Sequence, residues 1–393
     1  MIRAHTRFQR PPTSDATEPP EARGVARDNV KLMVARPSGV SHARFADLGD
    51  YVRPGDLLVV NNSATLPAAV DGRRAGQPIA VHFSTARAEK HWVVELRPGG
   101  SGVAATGYLP DVRVGERIDL PGGAAMVVTS SYPEPGIDGG RLWLARVDLD
   151  GREGDVASYL ARHGRPIRYS YVPRQWPLAY YQTAFARIPG SAEMPSAARP
   201  FSAELVCALV ADGIAIAPIT LHAGVSSAES GEPPAPEPFH VPPAAARMVN
   251  LTRATGGRVI AVGTTVTRAL ESAVNADGVV RPAVGWTDLV LGPGRPCRVV
   301  DGLITGWHDA GASHLLLLEA VAGPDLVALA YREAVEHGYL WHEFGDSALL
   351  LPSSDSDVQS AHADSPVCRR RQTCCHPAPV GDGHQLRRAG DPG

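Results

Sequence analysis

Lysine is almost missing from this chain: Lys31 and Lys90 stand against 38 cations in all, the rest arginine. That bias has two readings. One is the codon usage of a GC-rich genome; the other is a surface that grips phosphate through bidentate guanidinium contacts. Cysteine is also scarce, with 5 residues in 393. Cys207 and Cys297 stand alone in apolar runs, where a free thiol packs as a small buried hydrophobe, and Cys368, Cys374 and Cys375 show no paired spacing. Such usage speaks against a disulfide framework. No apolar stretch approaches the ~18 uninterrupted residues of a membrane-spanning helix, so no membrane association is expected. The N-terminus has no apolar core of the secretory kind, which makes the cytoplasm the expected compartment. Walker, GxGxxG and HExxH motifs are absent, removing the commonest nucleotide and zinc readings.

What is present is the composition of a globular protein, 44% hydrophobic and 20% charged. A net charge of −3 argues against a wholly nucleic-acid-binding surface but leaves room for a local basic face. Residues 1–26 are polar and Pro-rich, and are expected to be a disordered arm. Residues 353–393 lack hydrophobic periodicity and read as a disordered tail. The Cys374-Cys375-His376 cluster in that tail has none of the spacings of a zinc site, so no metal is expected.

Between the tails two textures alternate. VKLMVA (30–35) and DLLVVNN (56–62) are short buried-strand runs bounded by Pro and Gly. From 66 to 152 only short strands and turns follow, the pattern of a small all-β barrel. From 153 to 352 strands alternate with helices, as in SAELVCALVADG with its Ser202 cap and terminal Gly213. The expected fold is therefore α/β. A large domain with a largely parallel sheet (27–65 and 153–352) is interrupted by a barrel domain (66–152).

Four segments carry candidate chemistry. In RVIAVGTTVTRALES (258–272) a buried strand runs through Gly263 into a helix whose first turn suits an anion. Thr264, Thr265 and Arg268 are candidate ligand contacts there, with Thr264 as a plain helix cap the alternative. His222 follows the strand ITL at a turn, and its role is either structural or catalytic. Asp301, Thr305, His308 and Asp309 cluster around GLITGWHD and either transfer protons or form a solvated turn. Arg165, Arg168 and Arg174 alternate with Tyr169, Tyr171 and Trp176, a composition suited to phosphate contact and base stacking as well as to an ordinary loop.

The segments YVRPGDLLVVNN, YYQTAFA, PGS, GGRVIAVGTT with RALES, GWTDL, VVDGLIT and FGDSALL occur in this order. Together they resemble the signature segments of the S-adenosylmethionine:tRNA ribosyltransferase-isomerase family of queuosine biosynthesis. The resemblance implies a large α/β domain with an inserted β-barrel, S-adenosylmethionine as co-substrate and tRNA as partner; a monomer is expected. It also implies the reaction. The ribosyl part of S-adenosylmethionine moves onto 7-aminomethyl-7-deazaguanine in tRNA, rearranges to an epoxycyclopentane, and adenine and methionine leave. His308, His222 and Asp301 are then the expected catalytic groups. Asn61, Tyr181, Gln182, Pro195, Ser196, Phe201 and Thr305 join Thr264, Thr265 and Arg268 as expected substrate contacts. Arg165, Arg168 and Arg174 are expected to meet the tRNA.

The chain also departs from the family pattern. Pro-Thr-Ala-Gly-Leu-His-Phe-Thr reads Pro195-Ser196-Ala197-Ala198-Arg199-Pro200-Phe201-Ser202 here, and Asn-Asp-Thr-Arg reads Asn61-Asn62-Ser63-Ala64. The segment with paired histidines after His222 is shortened and keeps Glu237. Asp309, His314 and Glu319 are polar where the pattern is apolar or small. These changes keep open a paralogue with a small-molecule acceptor, and a non-catalytic binding protein.

Overall fold

The computed structural model describes residues 4–99, 107–136, 140–149, 154–225 and 233–352. The expected tail at 353–393 lies outside the described residues. The chain opens with β1 (Lys31–Arg36), β2 (Gly39–Arg44), β3 (Leu57–Asn61) and the short β4 (Ser63–Thr65). The barrel strands follow: β5 (Ala69–Arg74), β6 (Gln77–Ala88), β7 (His91–Pro98), β8 (Arg117–Asp119), β9 (Ala125–Tyr132) and β10 (Leu142–Asp148). Helix α1 (Val156–His163) packs on the barrel, its Val156, Tyr159 and Leu160 joining the barrel core. After β11 (Ile188–Ser191), α2 (Ala203–Ala211), β12 (Ala215–Leu221) and β13 (Glu237–Val241) return to the large domain. The chain continues through α3 (Pro243–Ala254), β14 (Val259–Val262), α4 (Thr264–Ala273), β15 (Ala283–Thr287) and β16 (Gly302–Thr305). It closes with α5 (His314–Ala322), α6 (Pro324–Glu336) and β17 (Ser347–Leu350). No single helix among the described residues is long and apolar enough to cross a membrane.

Nine strands form the large sheet in the order β15-β13-β12-β3-β14-β16-β17-β1-β2. It is mixed. The run β12-β3-β14-β16 at its centre is parallel, while β15-β13-β12, β16-β17 and β1-β2 pair antiparallel. Strand β3 shows why the centre is a core: all five of its residues are buried. Leu57 and Val59 pack on one face with α3–α6, and Leu58 and Val60 pack on the other with Leu205 and Leu209 of α2. This period-2 division of an unbroken apolar run marks a strand covered on both faces.

The barrel closes in the order β10-β7-β6-β5-β8-β9, which leaves no free edge. Its core holds Val70, Val81, Phe83, Val94, Leu96, Met126, Val128 and Trp143. At the junction, β4 pairs with β11, and Ala69 bridges to Arg165.

Two expectations change. Residues 4–26 are not loose: they run along the large domain, tied mostly by side chains. Thr6 donates twice to the buried carboxylate of Glu319, Arg10 reaches Asp15 and Asp309, and Ala16 donates to the Trp341 carbonyl. Local composition does not reveal such anchors, because Glu319 and Asp309 lie about 300 residues away along the chain. Cys207 lies exposed on α2 rather than buried, and Cys297 is partly buried. The apolar run around Cys207 covers more of the helix surface than the face that packs.

Candidate active site

A cavity of about 430 Å³ opens at the carboxyl ends of β14 and β16. This is where α/β sheets present ligand sites, because loops diverge there and helix N-termini point inward. Three walls build it.

The first wall is the start of α4. Gly263, at φ 99°, turns the chain out of β14, and its missing side chain spares the methyl of Ala197, 3.3 Å from where a Cβ would sit. Thr264 and Thr265 line the cavity; Thr264 is the first helical residue and makes no capping bond. Arg268 also lines it but is fully employed. Its guanidinium donates to the carbonyls of Thr287 and Leu289 and pairs with Glu237, whose other oxygen accepts from Gly224 N–H. Arg268 therefore builds the wall.

The second wall is the loop after β16. His308 Nε2 lies 3.2 Å from Thr305 Oγ1, and its ring stacks on His314 with centroids 4.3 Å apart and planes within 2°. Burial lowers the pKa of both imidazoles, with His314 adding to the effect on His308. His308 goes well below its ordinary value and His314 down to about 4. Both rings are therefore neutral at physiological pH.

The third wall comes from 166–171, 192–197 and 342–343, and it is acidic. Tyr171 OH donates to Glu343 Oε2 at 2.6 Å, and Tyr169 OH donates to Glu193. Burial raises the Glu343 carboxyl to about 7, helped by the like charge of Glu193 and opposed by the Tyr171 bond.

Of the expected residues, Tyr181, Pro195, Ser196, Thr264, Thr265, Arg268, Thr305 and His308 line this cavity. The others stand elsewhere. Asp301 lies at the opposite end of β16, where its carboxylate accepts from Val259 N–H; a residue before the strand cannot reach a site after it. His222 sits behind the wall, its Nδ1 2.7 Å from Ser63 Oγ, and Gly190 packs so close that a Cβ would lie 2.4 Å from that nitrogen. Asn61 is buried as a bracket: it accepts from Ser63 and Leu221 N–H and donates to Thr265 Oγ1, fixing a residue that does face the cavity. Gln182 clamps both backbone groups of Thr65, and Phe201 fills the core between Phe45 and Phe185.

The three arginines are not one patch. Arg165 pairs with Asp71, and Arg168 is buried, donating to the carbonyls of Val172 and Pro173. Arg174 is exposed, 3.7 Å above the Trp176 ring. One group of described residues has metal-ligand spacing, His42, Glu333 and His337, with ligand atoms within 4.8 Å of one another. None of the three lines the cavity.

The family model described as queuosine biosynthesis protein matches residues 4–350. The chain belongs to that family. It is 37% identical over 337 residues to S-adenosylmethionine:tRNA ribosyltransferase-isomerase of Symbiobacterium thermophilum, covering 83% of this chain and 94% of that one. The enzyme of the same name from Moorella thermoacetica is 35% identical over 356 residues, covering 88% and 98%. A solved structure, S-adenosylmethionine tRNA ribosyltransferase from Thermotoga maritima, is 26% identical with a TM-score of 0.47, covering 88% and 99%.

The acidic wall of this family member was not legible beforehand. Glu193 and Glu343 are not among the site residues expected from the sequence, and they lie far apart in the chain. One signal was available, a carboxylate isolated among aromatic and apolar neighbours in GYLWHEFG (338–345). His314 stood out as a polar residue, without a partner to name.

Proposed function

We propose that the chain is an S-adenosylmethionine:tRNA ribosyltransferase-isomerase acting on 7-aminomethyl-7-deazaguanine in tRNA. The observation that carries this reading is the match to enzymes of that name over nearly their whole length, 94% in one case. The cavity supports it chemically. A donor bearing a carboxylate, an ammonium, a sulfonium and an adenine needs both an anion-accepting and a cation-accepting wall. The N-terminus of α4 with Thr264 and Thr265 supplies the first, and the tyrosine-bound carboxylates supply the second.

In this reading His308 is the histidine that meets the substrate. Neutral at physiological pH, its imidazole can take a hydrogen bond or a proton without first losing one. Thr305 and the His314 stack hold the ring in place. Arg268, Asn61 and Gln182 act indirectly, by holding the walls. Arg174, exposed on its aromatic platform, is the arginine of the three that presents a guanidinium to a phosphate.

Incubating the protein with S-adenosylmethionine and tRNA carrying the aminomethyl base tests this. The expected result is a tRNA whose wobble base gains the mass of the rearranged ribosyl unit, seen by nucleoside mass spectrometry. An unchanged base, with the protein folded and the donor bound, contradicts it and favours the paralogue with another acceptor.

A further inference from the structure

We propose that Glu193 and Glu343, with the tyrosines bonded to them, form a subsite for a positively charged group of the substrate. The proposal rests on the reading above, that a sulfonium donor and an aminomethyl base meet in this cavity. Either could supply the charge, the first through its sulfonium or ammonium and the second through its protonated amine.

The geometry has three parts. Tyr169 and Tyr171 stack with centroids 6.0 Å apart, and each hydroxyl is spent on one carboxylate, Glu193 and Glu343 respectively. Two acids are thereby fixed side by side on one wall. Both acids and both tyrosines line the cavity, as does His342, stacked on Tyr171 at 4.0 Å. The chain adopts a costly backbone to achieve this: His342, a non-glycine residue, sits at φ 71°. That turn, just before Glu343, is held from outside, because His342 Nε2 lies 2.9 Å from Asp15 of the N-terminal arm.

Glu343 also lacks a matching charge. Among the described residues it has no ion pair; the groups that face it are Tyr171, Tyr181, Glu193, its neighbour His342 and, acting at longer range, Arg199. Of these only Arg199 is a fixed cation, and it is already paired with Glu21. A part-buried carboxyl in that position is held toward its protonated form until a cation arrives. The ring faces of Tyr169, Tyr171 and His342 add the surroundings that cations prefer. A purely structural Glu343 would be satisfied internally, as Glu95 in the barrel wall is by Arg97 and Arg141.

Two sets of titration calorimetry test the subsite on the full chain, with wild type, Glu343→Gln and Glu193→Gln. One set uses S-adenosylmethionine. The other compares 7-aminomethyl-7-deazaguanine with its uncharged 7-cyano analogue. The arm in which the carboxylates matter identifies the source of the charge. In that arm, wild type should bind roughly eightfold tighter at pH 7.5 than at pH 6.0, the ratio of ionised fractions for a carboxyl at about 7. Heats should depend on the buffer's ionisation enthalpy, reporting a released proton. Glu343→Gln should abolish both effects and weaken binding about tenfold or more at pH 7.5.

If both ligands bind wild type and Glu343→Gln alike, without proton release, while the wild type still modifies tRNA, the subsite is wrong and the enzymatic reading stands. If neither ligand binds wild type and no tRNA is modified, the reading falls and the subsite with it.

Discussion

Two clusters of ionisable groups lie in this protein, one buried in the barrel wall and one partly buried around the cavity, and they are built on opposite rules. In the barrel, Glu95 is fully buried and bonded to Arg97 at 2.5 Å and Arg141 at 2.8 Å, with His82 at 3.5 Å. Burial alone would raise its pKa; the pull of His82, Arg97 and Arg141 overcomes this and holds it down to about 2. Around the cavity, Glu343 drifts up to about 7 and His314 down to about 4, each toward its neutral form. The barrel charges cancel one another and stay charged. The cavity groups have little to cancel them and are pushed toward their neutral forms. The first arrangement serves the fold, and the second keeps unmet electrostatic demand for a ligand.

The sharpest way to break the comparison is to remove the centre of the closed cluster. Glu95→Gln leaves two buried guanidinium groups without their carboxylate and should cost about 3–5 kcal/mol, measured by urea denaturation. The same change in the open cluster should act in the other direction. Glu343 has a raised pKa when folded, so the folded state holds a proton that the unfolded chain releases between about 4.5 and about 7. Its contribution is complete below about 4.5 and lost as pH rises through about 7. Glu343→Gln should therefore flatten that decline and stabilise the protein at pH 8. The gain is up to about 3 kcal/mol, less the share that water in the cavity screens.

His308→Ala should lower kcat by about a hundredfold or more, about 2.7 kcal/mol of transition-state stabilisation, with the denaturation midpoint little changed. His222→Ala, behind the wall, should instead show its effect mainly in stability. The smallest effect belongs to Asp71→Ala, which removes a partly exposed partner of Arg165 and should cost only about 0.2–1 kcal/mol.

The two clusters also show what was readable in the sequence. Strand periodicity and turn residues marked both domains, because burying a face is a local, repeating demand that leaves a pattern in neighbouring residues. The Gly263-Thr264-Thr265 turn was legible for the same reason: strand, glycine and helix are consecutive in the chain. The acidic wall was not, since it assembles Tyr169 and Tyr171, Glu193 and Glu343 from three separate segments. Asp301 misled through proximity in sequence to His308, which a four-residue strand places at the other end of the sheet. The N-terminal arm misled through its composition, because its order depends on single bonds to distant partners such as Glu319 and His342.

The central claim, that this cavity carries out ribosyl transfer from S-adenosylmethionine to a tRNA base, is tested most directly by adenine release. Wild type would be mixed with S-adenosylmethionine and either tRNA bearing 7-aminomethyl-7-deazaguanine or the same tRNA with guanine at that position. The account predicts adenine in step with tRNA modification in the first case, none above background in the second, and loss of the signal in His308→Ala. Equal release with both tRNAs, or none with either despite donor binding, would contradict it.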